Sequence, residues 1–159
     1  MVEKSDIFDG MQNYALVTGA SSGLGLYLSA ELVGKGYNLI AVSNQPEKLE
    51  ELKKNLEESN SNSVITINMD LAEEKAAKSI FDYCEENNYQ VDILVNNAGM
   101  LIHGEVLTVE YARAQSILNL HMTTPALLCR LFGKKMRQNG LGYILNVSSI
   151  SAVMPYPTI

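Results

Sequence analysis

Tryptophan is absent from the chain, and cysteine, histidine and proline are scarce at two, two and four residues out of 159. Each scarcity excludes something. Two cysteines, Cys84 and Cys129, both inside apolar helical patterns, make no disulfide framework, and each is expected as a buried thiol. His103 and His121 stand at no ligand-type spacing from them, so no metal site is expected. Long apolar runs are also missing: nothing approaches the roughly 18 residues that cross a bilayer. Met1 to Gly10 is too polar for a secretory leader. The expectation is a cytoplasmic chain with no membrane partner. Basic charge is sparse as well: 12 Lys and Arg against 18 Asp and Glu give a net charge of -6 without any cationic run, which excludes nucleic acid as the expected partner.

What is present begins at Tyr14-Ala-Leu-Val-Thr-Gly-Ala-Ser-Ser-Gly-Leu-Gly25. A short apolar run passes through a glycine-rich loop into an amphipathic stretch, the way a strand feeds a helix through a phosphate-sized turn. Gly19 can take a backbone angle other residues avoid, Gly23 lets a pyrophosphate approach the backbone, and Gly25 lets the helix pack against the strand. Thr18, Ser21 and Ser22 add hydroxyl donors, and the helix start aims its free N–H groups at an anion. Gly19-Ala-Ser-Ser-Gly23 also fits the G-x-S-x-G nucleophile elbow of esterases. That fold needs several strands before the elbow and a later Asp and His, and only a dozen or so residues precede this turn.

Further apolar runs, rich in Val and Ile, recur at Leu39 to Val42, Val64 to Ile67, Ile93 to Val95 and Ile144 to Val147. With Ala15 to Val17 they read as five parallel strands covered on both faces. Helices are expected between them. The first runs from about Gly23 to Gly34 with Leu24, Leu28 and Leu32 on one face. The second runs from Pro46 to about Glu58 on Leu49, Leu52 and Leu56, with Glu50 and Lys54 paired outside. A third, from about Ala72 to Asn87, buries Ala76, Ala77, Ile80, Phe81 and Cys84, with Asp70 placed to cap it. Residues 108–139 spread Leu118, Leu120, Met122, Leu127, Leu128 and Phe132 around a helix that is buried on more than one side or meets a partner. Strand and helix alternation implies right-handed crossovers, hence an α/β fold: a Rossmann-type doubly wound parallel sheet, most simply ordered 3-2-1-4-5, with helices on both faces.

Four more stretches fall at the carboxyl ends of these strands: Asp70-Leu71, Asn96-Asn-Ala-Gly99, Asn119 and Asn146-Val-Ser-Ser149. Together with the glycine-rich turn, their order and spacing resemble the classical short-chain dehydrogenase/reductase family from about Asn13 to the last residue. The resemblance implies an NAD(P)-dependent oxidoreductase moving hydride between a nicotinamide cofactor and a small carbonyl or alcohol substrate. It implies that Asp70 contacts adenine, that Leu24, Leu71, Asn97, Ala98 and Gly99 join the turn in holding the cofactor, and that Asn96 braces its strand. It also implies that Asn119 helps hold a water in the proton relay and that Ser149, with Ser148 the weaker candidate, binds the reacting oxygen. His103, Met100 and Leu101 border the substrate by position alone.

The second strand ends Val42-Ser-Asn-Gln45. It carries neither the carboxylate that holds an NAD ribose nor an arginine for a 2′-phosphate. Ser43, Asn44 and Gln45 can donate to a 2′-phosphate without repelling it, which favours NADP over NAD. The family's Tyr-x-x-x-Lys pair is expected just beyond Ile159, and Tyr156, between Pro155 and Pro157, is not a substitute for it. Residues 1–159 therefore read as a single, incomplete dinucleotide-binding domain, inactive by itself and prone to self-association through the fifth strand or the apolar helix. The alternative is a non-catalytic module that binds a nucleotide or another protein.

Overall fold

The computed structural model describes residues 13–154, so Tyr156 and the polar segment Met1 to Gly10 lie outside the described residues. Five parallel strands form one sheet: β1 (Asn13–Thr18), β2 (Asn38–Ser43), β3 (Val64–Asn68), β4 (Gln90–Asn96) and β5 (Tyr143–Asn146), ordered β3-β2-β1-β4-β5. Five α-helices join them: α1 (Gly23–Gly34), α2 (Pro46–Ser59), α3 (Ala76–Glu86), α4 (Tyr111–Leu118) and α5 (Thr124–Asn139). The order is the one strand–helix alternation predicts. It puts β1 between β2 and β4, with Leu16 opposite Ile40 and Leu94.

Alternation along the strands sends side chains to two cores. Leu16, Ile40, Val42 and Leu94 face Ile80 of α3 and Leu128, Phe132 and Met136 of α5. Val17, Leu39, Ala41 and Val95 face Val33 of α1 and Leu49, Leu52 and Leu56 of α2. Burying each such aliphatic side chain contributes on the order of 1.5–3 kcal/mol, so central strands sealed on both faces anchor the fold. Cys84 is a buried free thiol and Cys129 a half-buried one. Burial pushes the Cys84 thiol up to about 12, so it stays protonated.

Several expectations need correcting. The buried stripe of α1 is Gly25, Ser29 and Val33, while Leu24 is 53% exposed. The first turn takes a small residue because a Cβ on Gly25 would collide with the Gly19 carbonyl oxygen; further along, Leu28 and Leu32 are half-buried and pack against the second core. α3 begins at Ala76 rather than Ala72. Asp70 Oδ1 accepts from the Ala72 amide at 2.9 Å, closing a local turn instead of capping a helix. The segment from 108 to 139 is three pieces, α4, a π-helical turn at Asn119–Thr123 and α5, and only part of its apolar surface is buried. β5 is not covered on both faces: Tyr143 and Leu145 are 61% and 46% exposed, because among the described elements only β4 and α5 touch it. No described helix is long and apolar enough to cross a membrane.

Candidate dinucleotide site

The turn between β1 and α1 is built by two glycine conformations and one close approach. Gly19 has φ +65° and Gly23 φ +54°, in the left-handed region where a side chain is strained. A Cβ on Gly19 would also lie 2.9 Å from Ala98 Cα, while the space over Gly23 is open. Ser22 precedes α1 in extended conformation and makes no side-chain cap. The N–H groups of the first turn are thus available to an anion.

A cavity of about 470 Å³ opens beside this turn at the carboxyl ends of β1 to β4. Gly19, Ser21 and Ser22 form its turn side; Ser43, Asn44 and Gln45 come from the end of β2; Asp70 and Leu71 follow β3; Asn97, Ala98, Gly99 and Met100 follow β4. Most of the expected cofactor residues therefore line one cavity. Gly23, Leu24 and Gly25 sit in the adjoining first turn of α1 and do not line it.

Several side chains expected at the ligand serve the frame. Thr18 Oγ1 donates to the Val95 carbonyl at 3.2 Å and accepts from the Asn97 and Ala98 amides at 2.9 and 3.1 Å. Its hydroxyl is used inside the fold, at a residue 2% exposed, rather than offered to a ligand. Asn97 Nδ2 reaches back to the Thr18 and Gly19 carbonyls at 3.1 and 3.3 Å, so that side chain holds the turn from across the sheet. Ser21 and Ser43 share a hydroxyl hydrogen bond of 2.7 Å, and Ser43 Oγ also accepts from the Gln45 amide at 3.3 Å. Asn96 ties the end of β4 to the end of β5: its Nδ2 donates to Asn146 Oδ1 at 2.8 Å.

Asn119 opens the π-helical turn and donates through Nδ2 to the Ala72 carbonyl at 2.9 Å. A π turn inside a helix aims side chains that a regular helix would turn away, and such turns recur at functional sites. Two neighbours escaped sequence reasoning. Thr124 Oγ1 donates to the Leu71 carbonyl at 2.8 Å, and His121 Nε2 stands against the Met100 backbone. Their partners are distant in sequence, and a lone Thr or His on a helix carries no signal of such a role.

Ser149 is exposed and caps the short 3-10 turn Ile150–Ala152, its Oγ accepting from the Ser151 amide at 3.1 Å. It lines neither cavity at the strand ends. Ser148 does line the second, of about 360 Å³, together with Asn96, His121, Cys129 and Asn146. Leu101 and His103 are exposed, and of the three positional candidates only Met100 borders the main cavity. No group of three or more metal-ligating side chains occurs among the described residues.

A profile for the short chain dehydrogenase family matches residues 13–159. Human 17-beta-hydroxysteroid dehydrogenase type 3 is 32% identical over 153 residues, which cover 92% of this chain and 47% of that protein. The uncharacterized oxidoreductase YusZ of Bacillus subtilis is 36% identical over 152 residues, covering 91% and 51%. The chain spans about half the length of these curated relatives. Among solved structures, a metagenomic short-chain oxidoreductase in complex with NADP superposes with a TM-score of 0.84 at 26% identity, covering 92% of this chain and 66% of that one. L-sorbose reductase from Gluconobacter frateurii, complexed with NADPH and L-sorbose, superposes with a TM-score of 0.85 at 27% identity, covering 93% and 56%.

Proposed function

Because the chain belongs to the short-chain dehydrogenase family, we propose that residues 1–159 form the dinucleotide-binding unit of an NAD(P)-dependent oxidoreductase acting on a small carbonyl or alcohol. The observation that carries this reading is the cavity at the strand ends, walled by the glycine turn on one side and by Asp70 and Gly99 on the other. A dinucleotide fits this lining: backbone at Gly19 and open space over Gly23 admit a pyrophosphate, and the uncapped start of α1 complements its charge. When bound, the nicotinamide would supply or accept the hydride.

The chain's own groups divide the remaining work. Asp70 and Leu71 take the adenine end, and Gly99 with Met100 borders the nicotinamide end. Asn119, anchored on Ala72, holds a water for proton relay. Ser149 binds the reacting oxygen through its hydroxyl proton, which stays free to donate while Oγ accepts from the Ser151 amide. Ser43, Asn44 and Gln45 favour NADP, since they bring donors and no carboxylate to the end of β2; the relatives solved with NADP and NADPH support that preference.

No tyrosine in the sequence is followed four residues later by lysine. A polypeptide of these residues alone is therefore proposed to bind nucleotide without turning substrate over. Its free cysteines suit a cytoplasmic setting. The open β5 and the outer apolar residues of α4 and α5 favour self-association.

Fluorescence titration of the 159-residue polypeptide with NADPH and NADH tests the reading. Saturable binding, tighter for NADPH, is expected. Absence of binding to both would leave the non-catalytic protein-interaction reading in its place.

A further inference from the structure

The main cavity is lined by two charged side chains, Asp70 after β3 and Arg113 on α4. They do not neutralise each other: the ion pairs among the described residues are Lys54 with Glu58, Lys78 with Asp82, and Lys135 with Glu85. Asp70 is held by the Ala72 amide at 2.9 Å, and α4 is tied to the same residue through Asn119 Nδ2 and the Ala72 carbonyl, also at 2.9 Å. The acid and the base are thus carried by two elements pinned at one point, both bordering the same cavity. Arg113 has no hydrogen bond or ion pair among the described residues, and it is the one cation in a lining that is otherwise neutral or acidic.

Opposite charges that share a cavity without closing on each other suit a ligand that offers donors to one and acceptors to the other. Adenine is such a ligand. Its exocyclic amine donates to a carboxylate, its ring nitrogens accept, and its flat face matches a planar guanidinium, which stacks on aromatic rings as an ammonium does not. We propose that Arg113 is an adenine-recognition residue, its guanidinium meeting the base from the α4 side while Asp70 holds the exocyclic amine from the β3 side. This assignment rests on the dinucleotide reading above. It also gives α4 a role in binding, because the helix brings to the adenine end the cation that the end of β2 lacks.

The test is NADPH titration of the 159-residue polypeptide as wild type, Arg113→Ala, Arg113→Lys and Arg130→Ala, with circular dichroism to establish that each is folded. Arg113 is exposed, so its replacement leaves the core intact. Arg130 lies on α5 outside this cavity and removes the same charge elsewhere. Arg113→Ala is expected to weaken NADPH binding about tenfold, Arg130→Ala to leave it within twofold, and Arg113→Lys to recover only part of the loss. Affinity within twofold of wild type for Arg113→Ala, full recovery by lysine, or an equal loss in Arg130→Ala would each overturn the assignment while the dinucleotide reading stands. A wild-type chain that binds neither NADPH nor NADH would remove both.

Discussion

His121 Nε2 lies 3.1 Å from the amide nitrogen of Met100 and 3.0 Å from its carbonyl oxygen, so one ring nitrogen serves both polar groups of a single residue in the cavity wall. It cannot do both at once: the bare nitrogen accepts from the amide, and the protonated one donates to the carbonyl. Either way the ring props the segment after β4, and a Cβ on Gly99 would lie 3.0 Å from His121 Cε1. His121→Ala is expected to cost about 1 kcal/mol of stability and to weaken NADPH binding several-fold. Gly99→Ala should act through the same ring, so the double variant should lose less than the sum of the two single losses. Additive losses in the titration would show that the two positions act independently.

Thr18 offers a sharper stability test, because its hydroxyl satisfies three backbone groups of β4 and the loop after it. Thr18→Val keeps the shape and leaves the Asn97 and Ala98 amides and the Val95 carbonyl short of a partner. The expected cost is on the order of 2 kcal/mol or more, read as a lower urea midpoint with unchanged slope. An unchanged midpoint would mean that water replaces the hydroxyl.

The central strands were legible because Val and Ile runs sealed on both faces leave a local signature, and the glycine turn was legible because its spacing is itself the mechanism. The cavity wall was legible where backbone or small residues form it, at Gly19 and Ala98. The inward hydrogen bonds of the Thr18 hydroxyl and the Asn97 amide were not legible, since local sequence does not say which way a hydroxyl or amide points. Leu24 was misplaced for a related reason: the close packing of Gly25 against Gly19 gives the first turn to a small residue, against the helical hydrophobic pattern. The placement of His121, Thr124 and Arg113 gave no signal, because it arises only when α4, the π-helical turn and α5 fold against residues 70–72 and 98–100.

Asp92 is 2% exposed, with Oδ2 lacking a partner and Oδ1 accepting from Gln90 Nε2 at 3.0 Å. Burial raises its pKa above the ordinary 3.8, while the Gln90 hydrogen bond opposes the rise. A carboxyl whose folded pKa exceeds its unfolded value binds its proton more tightly when folded. Its contribution is therefore complete below pH 3.8 and is lost as pH rises through the folded pKa. Asp92→Asn should remove this component, so that the difference in urea midpoint between variant and wild type moves in favour of the variant as pH is raised from 4 to 7. A difference that does not change with pH would contradict the shift.

Self-association is open to a direct check at the outer face of the π-helical turn, where Met122 is 63% exposed beside the exposed Leu118. Light scattering of the wild-type polypeptide should show a mass above one chain that rises with concentration. Met122→Glu should lower it, since a charge desolvated at an apolar contact is unfavourable. A monomer at every concentration would remove this proposal, and unchanged association in the variant would shift the contact to the open β5.

Asn44 decides between the two cofactors in the most direct way. It follows β2, is exposed and borders the cavity beside Ser43 and Gln45, where a carboxylate would hold the ribose 2′-OH of NAD and repel a 2′-phosphate. Asn44→Asp places a charge in solvent and disturbs no buried group, so stability should change little. Its effect should fall on binding: NADPH affinity is expected to drop about tenfold or more while NADH affinity holds or rises, as repulsion from a charge near the phosphate is worth about 1 kcal/mol or more at this partly solvated site. Equal effects on the two cofactors would mean that the 2′ position lies away from Asn44. Wild-type binding tighter for NADH than for NADPH would reverse the preference itself and leave the ribose held by Ser43 and Gln45 without a phosphate.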